Sequence, residues 1–399
     1  MSALSGKRIV LGVCGGIAAY KAVDVCRRLV DAGAVVSPVM TAEASHFVGE
    51  VTFSALASEP VRTSLWDGPE PIPHTRLGQA ADLVIVAPAT ARAIGSYAAG
   101  ISDDLLTVTL LATRAPVLVC PAMHTEMWEH PAVQDNLAVM RRRGVHVLEP
   151  ASGRLAGGDV GAGRLRDPAE IVAEAERILG PGDLDGVGVL VTAGGTREAI
   201  DAVRVITNRS SGKQGYAIAE EARARGAQVT LVSTVERPAP PGVEVVAVAS
   251  AADMERAVMA RRAGNDVVVM AAAVADFRPE APPARKVKKD EGPPEIVLEP
   301  THDFLVDLGR AKAPGQVLVG FAAETDDLVA HAAAKLRAKN LDLIVANDVS
   351  APGVGFEHDT NAVVLLGADG TRQDVPLANK RDVARAVIDA VVAIRRKRP

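Results

Sequence analysis

Little of this 399-residue chain is aromatic: two Trp, three Tyr and six Phe make 3%, so its 48% hydrophobic fraction is mainly aliphatic and still large enough to build real cores. Cysteine is scarce too. Cys14, Cys26 and Cys120 are an odd, widely spaced set with none of the paired spacings of zinc sites or secreted disulfide scaffolds, which points to a reducing cytoplasm. No apolar run reaches the length of a membrane span, and MSALSGKRIVLGV passes directly into a short strand, so no targeting signal is read. Charge of one sign is not in excess. A formal net charge of -5 and a pI near 6.0 give no global attraction to nucleic acid or an anionic membrane, and any basic site must be local. The dinucleotide fingerprint is also missing. The first strand, Ile9 to Val13, leads into CGGIAAYKA rather than GxGxxG, and the second, Ala34 to Met40, ends in Met40 and Thr41 with no acidic residue. This disfavours NAD and leaves open a mononucleotide phosphate at the helix start.

What is present is organised around a stretch near the middle, Val187 to Gly215. An apolar strand, Val187 to Val191, runs into VTAGGTREAIDAVRVITNRSSGKQG and then a helix over Tyr216 to Arg225 that stops at Gly226. Gly194 and Gly195 let a chain leaving a buried strand turn sharply and bring its backbone close to a ligand. Ser210, Ser211 and Gly212 are expected to cap the helix, whose first N–H groups suit phosphate or carboxylate oxygens. With Asn208 they are more donors than a cap requires, which favours a ligand. The front of the chain has the same plan: strand, Gly15-Gly16, a helix from Ile17 to Asp31 ending at Gly33, and a strand.

Further apolar runs follow in each half: Leu83 to Ala87, Val117 to Val119 and Val145 to Leu148, then Val243 to Val248, Val267 to Ala271, Val317 to Val319 and Leu341 to Ala346. Alternating with Ala-rich helical segments, they predict an α/β protein with two doubly wound, mostly parallel sheets. GPGDLDG, Gly180 to Gly186, follows a helix over Pro168 to Leu179 and sets domains at 1–180 and 186–399. The last helix, Arg381 to Arg395, places Val383, Ala386, Val387, Ala390, Val391 and Ile394 at core spacing, and its RRKR end reads as a solvated cationic terminus.

Ligands of open parallel sheets sit at the carboxyl edge of the strands. The front candidates there are His74 in PIPHTRLGQAAD, APAT at Ala87 to Thr90, and PAMHTEMW at Pro121 to Trp128 with His124 and Glu126. A lone His is more often a surface or packed residue than a catalyst. The glycine-rich Ser152 to Leu165 reads as a mobile flap or an ordinary connection. In the rear half, Arg285, Lys286, Lys288 and Lys289 lie between Pro282-Pro283 and Pro293-Pro294, a cationic loop with stiff ends. Lys335 and Lys339 are four apart on a predicted helix. Such like charges repel by a few tenths of a kcal/mol unless an anion lies between them.

GGIAAYKA, APAT, GISDDLL and PAM, with His74 upstream, resemble the flavin-dependent cysteine decarboxylase family. TAGGTREAID, TNRSSGKQG, AAAVADF, KVKK, GFAAET and KNLDLIVAND resemble the phosphopantothenate–cysteine ligase family. In this order, over nearly the whole chain, they resemble the bacterial bifunctional decarboxylase–ligase family of coenzyme A biosynthesis. The resemblance implies a flavodoxin-like FMN domain followed by a Rossmann-like ligase domain. The ligase would join L-cysteine to 4′-phosphopantothenate using CTP and Mg²⁺ through an acyl-cytidylate, releasing pyrophosphate and then CMP. The decarboxylase would convert 4′-phosphopantothenoylcysteine to 4′-phosphopantetheine using FMN. By similarity His74 is the active-site base, Gly15 and Gly16 approach the FMN phosphate, and Thr41, Ala87, Thr90 and Ser102 lie nearby. Asn208 holds the acyl nucleotide, and Lys286 is the flap lysine that stabilises the phosphate transition state. Ala272, Ala273, Asp276, Phe321, Lys335 and Lys339 match positions that bind CTP; no metal ligand is assigned. The resemblance further implies trimers of front domains and dimers of rear domains closing a homododecamer, in the cytoplasm, with no nucleic-acid or membrane partner.

Three departures stand out. His124 in PAMH replaces an asparagine that usually contacts the substrate carboxylate. The flap carries Ala156, Gly157, Gly158, Asp159 where ACGD is common, which removes a thiol at Gly157 and leaves Cys120 or solvent as proton source. Arg92 replaces the asparagine common after APAT. Two other readings therefore stay open: a ligase with a flavin-binding scaffold in front, and a non-catalytic mononucleotide-binding regulator. A hydride-exchanging dehydrogenase is disfavoured by the poor dinucleotide fingerprint.

Overall fold

The computed structural model describes residues 2–66, 71–288, 295–324, 327–348, 355 and 358–398. The chain divides into two compact units, Met1–Pro181 and Gly182–Pro399.

The front unit runs β1 (Arg8–Val13), α1 (Ala19–Asp31), β2 (Val35–Met40), α2 (Glu50–Leu56), α3 (Pro73–Ala80), β3 (Leu83–Ala89), α4 (Ala91–Ala99) and α5 (Leu105–Ala112). It continues with β4 (Val117–Pro121), α6 (Thr125–Glu129), α7 (Pro131–Arg142), β5 (His146–Val147), β6 (Ala151–Arg154), β7 (Val160–Arg164) and α8 (Pro168–Leu179). Five parallel strands pair in the order β2-β1-β3-β4-β5, the flavodoxin-like winding, whose order reverses between β1 and β3. Both faces are covered, which is why the strands read as unbroken apolar runs. Leu29 of α1 and Ile171 of α8 pack on one face, Leu106 of α5 and Leu137 of α7 on the other. The first helix starts at Ala19, later than expected, because Ile17 lies exposed in the turn. Ser152 to Leu165, read as a loop, holds the antiparallel hairpin β6–β7.

The rear unit runs β8 (Gly188–Ala193), β9 (Arg197–Ala199), β10 (Val205–Thr207), α9 (Lys213–Ala224), β11 (Gln228–Ser233), β12 (Val243–Ala247), α10 (Ala251–Arg261), β13 (Val267–Met270), β14 (Phe277–Pro279) and β15 (Leu298–Pro300). It ends with α11 (Phe304–Arg310), β16 (Val317–Glu324), α12 (Leu328–Ala338), β17 (Leu343–Asp348), β18 (Thr360–Gly367), β19 (Arg372–Asn379) and α13 (Lys380–Arg396). The sheet order is β12-β11-β8-β13-β16-β17-β18-β19. Its first six strands are parallel in the dinucleotide-domain winding, and β18 and β19 add an antiparallel hairpin at one edge. Helices α9 and α13 cover one face through Ile218 and Val387; α10, α11 and α12 cover the other through Met254, Phe304 and Leu336. The middle loop is partly ordered as the hairpin β9–β10. Helix α9 begins at Lys213 behind Gly212, whose φ of 74° sets the entry, so the N-cap residue is a glycine without a side-chain cap rather than the expected serine.

The segment between the two sequence-defined domains carries structure of its own. Leu184 is fully buried in the rear core, and the Asp183 carboxylate accepts from Arg225 Nε at 2.8 Å and Nη2 at 2.5 Å. Arg225 is 7% exposed and also reaches Asp389. Breaking a buried pair leaves an uncompensated charge and costs about 3 kcal/mol. Arg225→Met therefore lowers the melting of the rear unit by several degrees, read by calorimetry on the full chain. Unchanged melting would remove this pair from the account of rear-unit stability.

Candidate active sites

At the carboxyl edge of the front sheet three strands end side by side, Val13 beside Met40 and Gly12 beside Val86. The turns that follow bring Gly15, Gly16, Thr41, Ala87 and Thr90 to one edge. A Cβ on Gly15 would collide with Glu43 Cβ at 2.3 Å, so only glycine lets the chain close there, whereas one on Gly16 would sit in ordinary contact with Thr90 Cγ2 at 3.8 Å. Thr90 caps α4 by accepting from Ala93 N. His74 follows Pro73 at the start of α3, the end of that helix nearest the carboxyl edge in a right-handed crossover. Buried polar atoms are nearly always satisfied. Among the described residues, Thr41 Oγ1 and His74 Nδ1 are buried with no hydrogen-bond partner, as a binding edge that awaits its ligand requires. Ser102 is exposed on the loop before α5.

In the rear unit the sheet order reverses between β8 and β13, and the two strand ends are stitched together. Ala273 N donates to Gly194 O at 2.8 Å, Thr196 N to Ala273 O at 3.2 Å, and Ala272 N to Thr192 Oγ1 at 3.0 Å. Asn208 Nδ2 donates to the carbonyls of Ala273 and Val274 at 3.3 and 3.4 Å. Beside them lies a cleft of roughly 100 Å³ whose walls include Gly212, Ala272, Ala273, Phe321, Asn347 and Lys380. Thus Asn208, Ala272, Ala273 and Phe321 come together at the reversal. Asp276 is exposed outside this lining, its carbonyl accepting from Thr301 N.

Lys286 is exposed, but the residue beside it is anchored: Val287 N donates to Asp201 Oδ2 at 3.3 Å and Val287 O accepts from Arg204 Nη1 at 3.3 Å. Asp201 sits in the turn between β9 and β10. Burial pushes its carboxyl up, but N–H donors from Val203, Arg204 and Val287 and the Arg204 charge outweigh this and take it down to about 2. The cationic loop is thereby tied to the hairpin that leads into Asn208; Lys289 lies outside the described residues. Among the described residues Lys335 and Lys339 face different carboxylates. Lys335 pairs with Glu324 at 2.6 Å and Lys339 with Asp303 at 2.7 Å, so separate carboxylates relieve the repulsion that the spacing implied.

The Flavoprotein family model matches residues 2–180, and the model described as DNA/pantothenate metabolism flavoprotein C-terminal domain matches residues 184–394. The Coenzyme A biosynthesis bifunctional protein CoaBC of Mycobacterium tuberculosis (strain ATCC 25618 / H37Rv) is 52% identical, covering 97% of this chain and 96% of its own. The chain belongs to this family. The namesake of Bacillus subtilis (strain 168) is 46% identical over 98% of both chains. A solved C-terminal domain of such a protein is 42% identical, covering 53% of this chain and 97% of its own, with a TM-score of 0.45. The chain is a bifunctional coenzyme A biosynthesis enzyme with a flavoprotein decarboxylase domain and a ligase domain.

The three departures from the family pattern have definite surroundings. Arg92 bridges Glu43 and Asp103, clamping the turn after β2 to the loop before α5. Cys120 is fully buried in the core, and burial drives its thiol far above the usual range, which removes it as a ready proton source. His124 bridges Glu126 and Asp159, and a Cβ on Gly157 would lie 3.3 Å from His124 Nε2. The hairpin is also held by Met123 N to Gly163 O at 2.9 Å and Thr125 Oγ1 to Ala162 O at 2.8 Å.

Glu126 foremost, and Asp159 after it, hold His124 above its usual value. A raised His stabilises the docked hairpin fully below its unfolded value of about 6.5, and that contribution is lost as pH rises through the raised one. Amide exchange over 155–160, corrected for its intrinsic pH dependence, should therefore quicken between pH 6 and 8. Asp159→Asn should flatten the profile.

The sequence reading did not single out Asp201, which holds Val287, or Lys213 and Lys380, which line the rear cleft. Asp201 stands in the highlighted TREAID motif and could have been found as a turn acid. Lys213 opens α9 and pairs with Asp359 at 2.6 Å. Nothing in the local sequence sets Lys380 apart.

Proposed function

We propose that the rear cleft ligates L-cysteine to 4′-phosphopantothenate with CTP and Mg²⁺, and that the front edge, with FMN, decarboxylates the product to 4′-phosphopantetheine. The observation that carries the ligase half is the convergence of Asn208, Ala272, Ala273 and Phe321 at the reversal of the rear sheet, with the Lys286 loop tied to the same hairpin. The substrate carboxylate attacks the CTP α-phosphate, pyrophosphate leaves, and the cysteine amine displaces CMP from the acyl-cytidylate. Lys286 supplies positive charge where negative charge develops on the phosphate, and the Asn208 amide holds the acyl nucleotide. Asp276, Lys335 and Lys339 belong to this reading as CTP contacts made once the nucleotide is bound.

For the front half, the orphaned Thr41 Oγ1 and the glycine turn at Gly15 and Gly16 suit FMN, with Ala87 and Thr90 beside them. When bound, FMN supplies reversible hydride transfer, which gives the substrate a thioaldehyde-like electron sink for loss of CO₂. His74 takes the substrate proton at a ring nitrogen, and Ser102 comes in from its exposed loop. His124, pinned at the mouth of the hairpin, stands ready to hydrogen-bond the substrate carboxylate. Homododecameric assembly in the cytoplasm completes the reading, and light scattering should give about twelve chain masses.

The test is to incubate the purified protein with 4′-phosphopantothenate, cysteine, CTP and Mg²⁺ and follow products by mass. Decarboxylated 4′-phosphopantetheine is expected. Accumulation of the undecarboxylated adduct would reduce the front half to a flavin-binding scaffold, and no turnover of CTP would leave a mononucleotide-binding regulator.

A further inference from the structure

We propose that Glu198, the middle residue of β9, is a positioning residue for ligation: its buried carboxylate pins the hairpin β9–β10 to the start of α10 and so holds Asn208 where it meets the acyl nucleotide. The inference rests on the ligase reading and adds to it a residue that acts through Asn208 rather than on the substrate.

The hairpin that leads into Asn208 is small. Arg197, Glu198 and Ala199 pair with Thr207, Ile206 and Val205. Two strands of this size have no core of their own and are marginally stable alone. Apolar anchoring does not make up for that, since Val203 is 63% exposed and Val205 46%. Of the described residues from Arg197 to Asn208, only Glu198 and Asp201 are buried, and both are carboxylates. Asp201 serves the Lys286 loop through Val287 N. Glu198 is tied to the body of the rear unit instead: its Oε1 accepts from Ala251 N, the first N–H of α10, at 2.9 Å. Ser250, the N-cap, turns its own hydroxyl to Asp253 N, so Glu198 takes a donor that the helix leaves over. The positive end of the helix dipole favours a carboxylate there. Helix α10 is itself held in the core by Met254 and Val258, and Arg197 N donates to Ala249 O at 2.9 Å just before it.

This anchor reaches Asn208 through a tight register. Glu198 stands opposite Ile206, two residues before Asn208. Past the last pair, the backbone of Asn208 lies directly on the chain leaving β8, where a Cβ on Gly195 would strike Asn208 O at 2.6 Å. Thr196 Oγ1, between that contact and Glu198's strand, accepts from Ala275 N at 2.9 Å. The Asn208 amide reaches the carbonyls of Ala273 and Val274 at 3.3 and 3.4 Å, long for such bonds, so its placement depends on the backbone that carries it. Burying a carboxylate costs more than burying a neutral side chain of the same size. What the charge adds is a strong bond with one direction, to a helix end fixed by the core.

The experiment is a double-mutant cycle on the full-length protein, with kcat for ligation and KM for CTP, 4′-phosphopantothenate and cysteine measured for wild type, Glu198→Gln, Asn208→Ala and the two combined. Glu198→Gln keeps the size and an acceptor and removes the charge. It should lower kcat by about tenfold to 100-fold, the scale of a small misplacement of a reacting geometry, with each KM moving far less. Decarboxylation of supplied 4′-phosphopantothenoylcysteine should be unchanged. In the Asn208→Ala background the same substitution should cost less than about threefold, because the group it positions is gone. Glu198→Asp, which keeps the charge on a shorter arm, should recover part of the loss, and it takes the place of Glu198→Gln in the cycle if that protein fails to fold. An equal loss in both backgrounds would show a general structural role and overturn the inference, as would a folded Glu198→Gln protein with wild-type kcat. Wild-type protein that does not ligate would instead overturn the ligase reading, and this inference with it.

Discussion

Lys286→Ala should lower the rate of ligation by at least about 100-fold while leaving decarboxylation of supplied 4′-phosphopantothenoylcysteine unchanged. The magnitude follows from charge. A group that meets negative charge developing on a transferred phosphate acts mainly in the transition state, and loss of one such group typically costs about 10²–10³ in kcat. The side chain is exposed, so its removal leaves no cavity and no buried partner unpaired, and melting should not move. KM for CTP should change far less than kcat. Asn208→Ala should produce a loss of similar size with a different signature. Its amide rests on the carbonyls of Ala273 and Val274, so it is positioned before any ligand arrives. Asp201→Asn is the control for placement: it keeps Lys286 but weakens the hold on Val287 N, and should give a smaller fall in kcat together with faster proteolysis of the loop. Ligation by Lys286→Ala within tenfold of wild type would remove the loop from the chemistry.

These residues differ in how legible they were. Strands β1, β3, β4, β8, β13, β16 and β17 are buried on both faces and show as short apolar runs, so both sheets could be read directly, along with the glycine turns at their carboxyl edges. The antiparallel hairpin β18–β19 went unread, although TNAVVLLG followed by a turn at Asp369-Gly370 carries a hairpin signal. Its strand β19 is largely exposed, and the alternation is weak. The hairpin β6–β7 was hidden for another reason. Glycine signals freedom, and what fixes this segment is a set of long-range contacts: a Cβ on Gly163 would meet Met123 O at 2.2 Å, so glycine there serves close packing. The cap of α9 misled in the same way, since Ser210 and Ser211 are good capping residues and the entry is set by the backbone of Gly212. Lys335 and Lys339 were read as a pair from helical spacing, but Glu324 and Asp303, far away in sequence, decide their partners. Lys380 follows the same logic. It is buried at a cleft whose lining also includes Gly355, Asn361 and the start of α9, and no window of sequence contains that.

His74→Ala should stop the pathway between its two halves: the cysteine adduct of 4′-phosphopantothenate accumulates, and its decarboxylation falls by about 100-fold or more, the low end of what a positioned acid–base group contributes. Three observations set the expectation. His74 stands at the start of α3, at the carboxyl edge where β1, β2 and β3 end. Its Nδ1 is buried with no partner among the described residues, so the ring is not spent on a structural hydrogen bond. The glycine turn and Thr41, which would hold the FMN phosphate side, lie on other elements, so the variant should bind flavin with unchanged stoichiometry, measured by flavin absorbance after gel filtration. Retained flavin with lost decarboxylation places His74 in the chemistry. Lost flavin would mean that the ring supports the binding edge. Full decarboxylation by a flavin-loaded His74→Ala protein would pass the role of base to another group, with His124, already aimed at the hairpin mouth between Glu126 and Asp159, as the first to replace next.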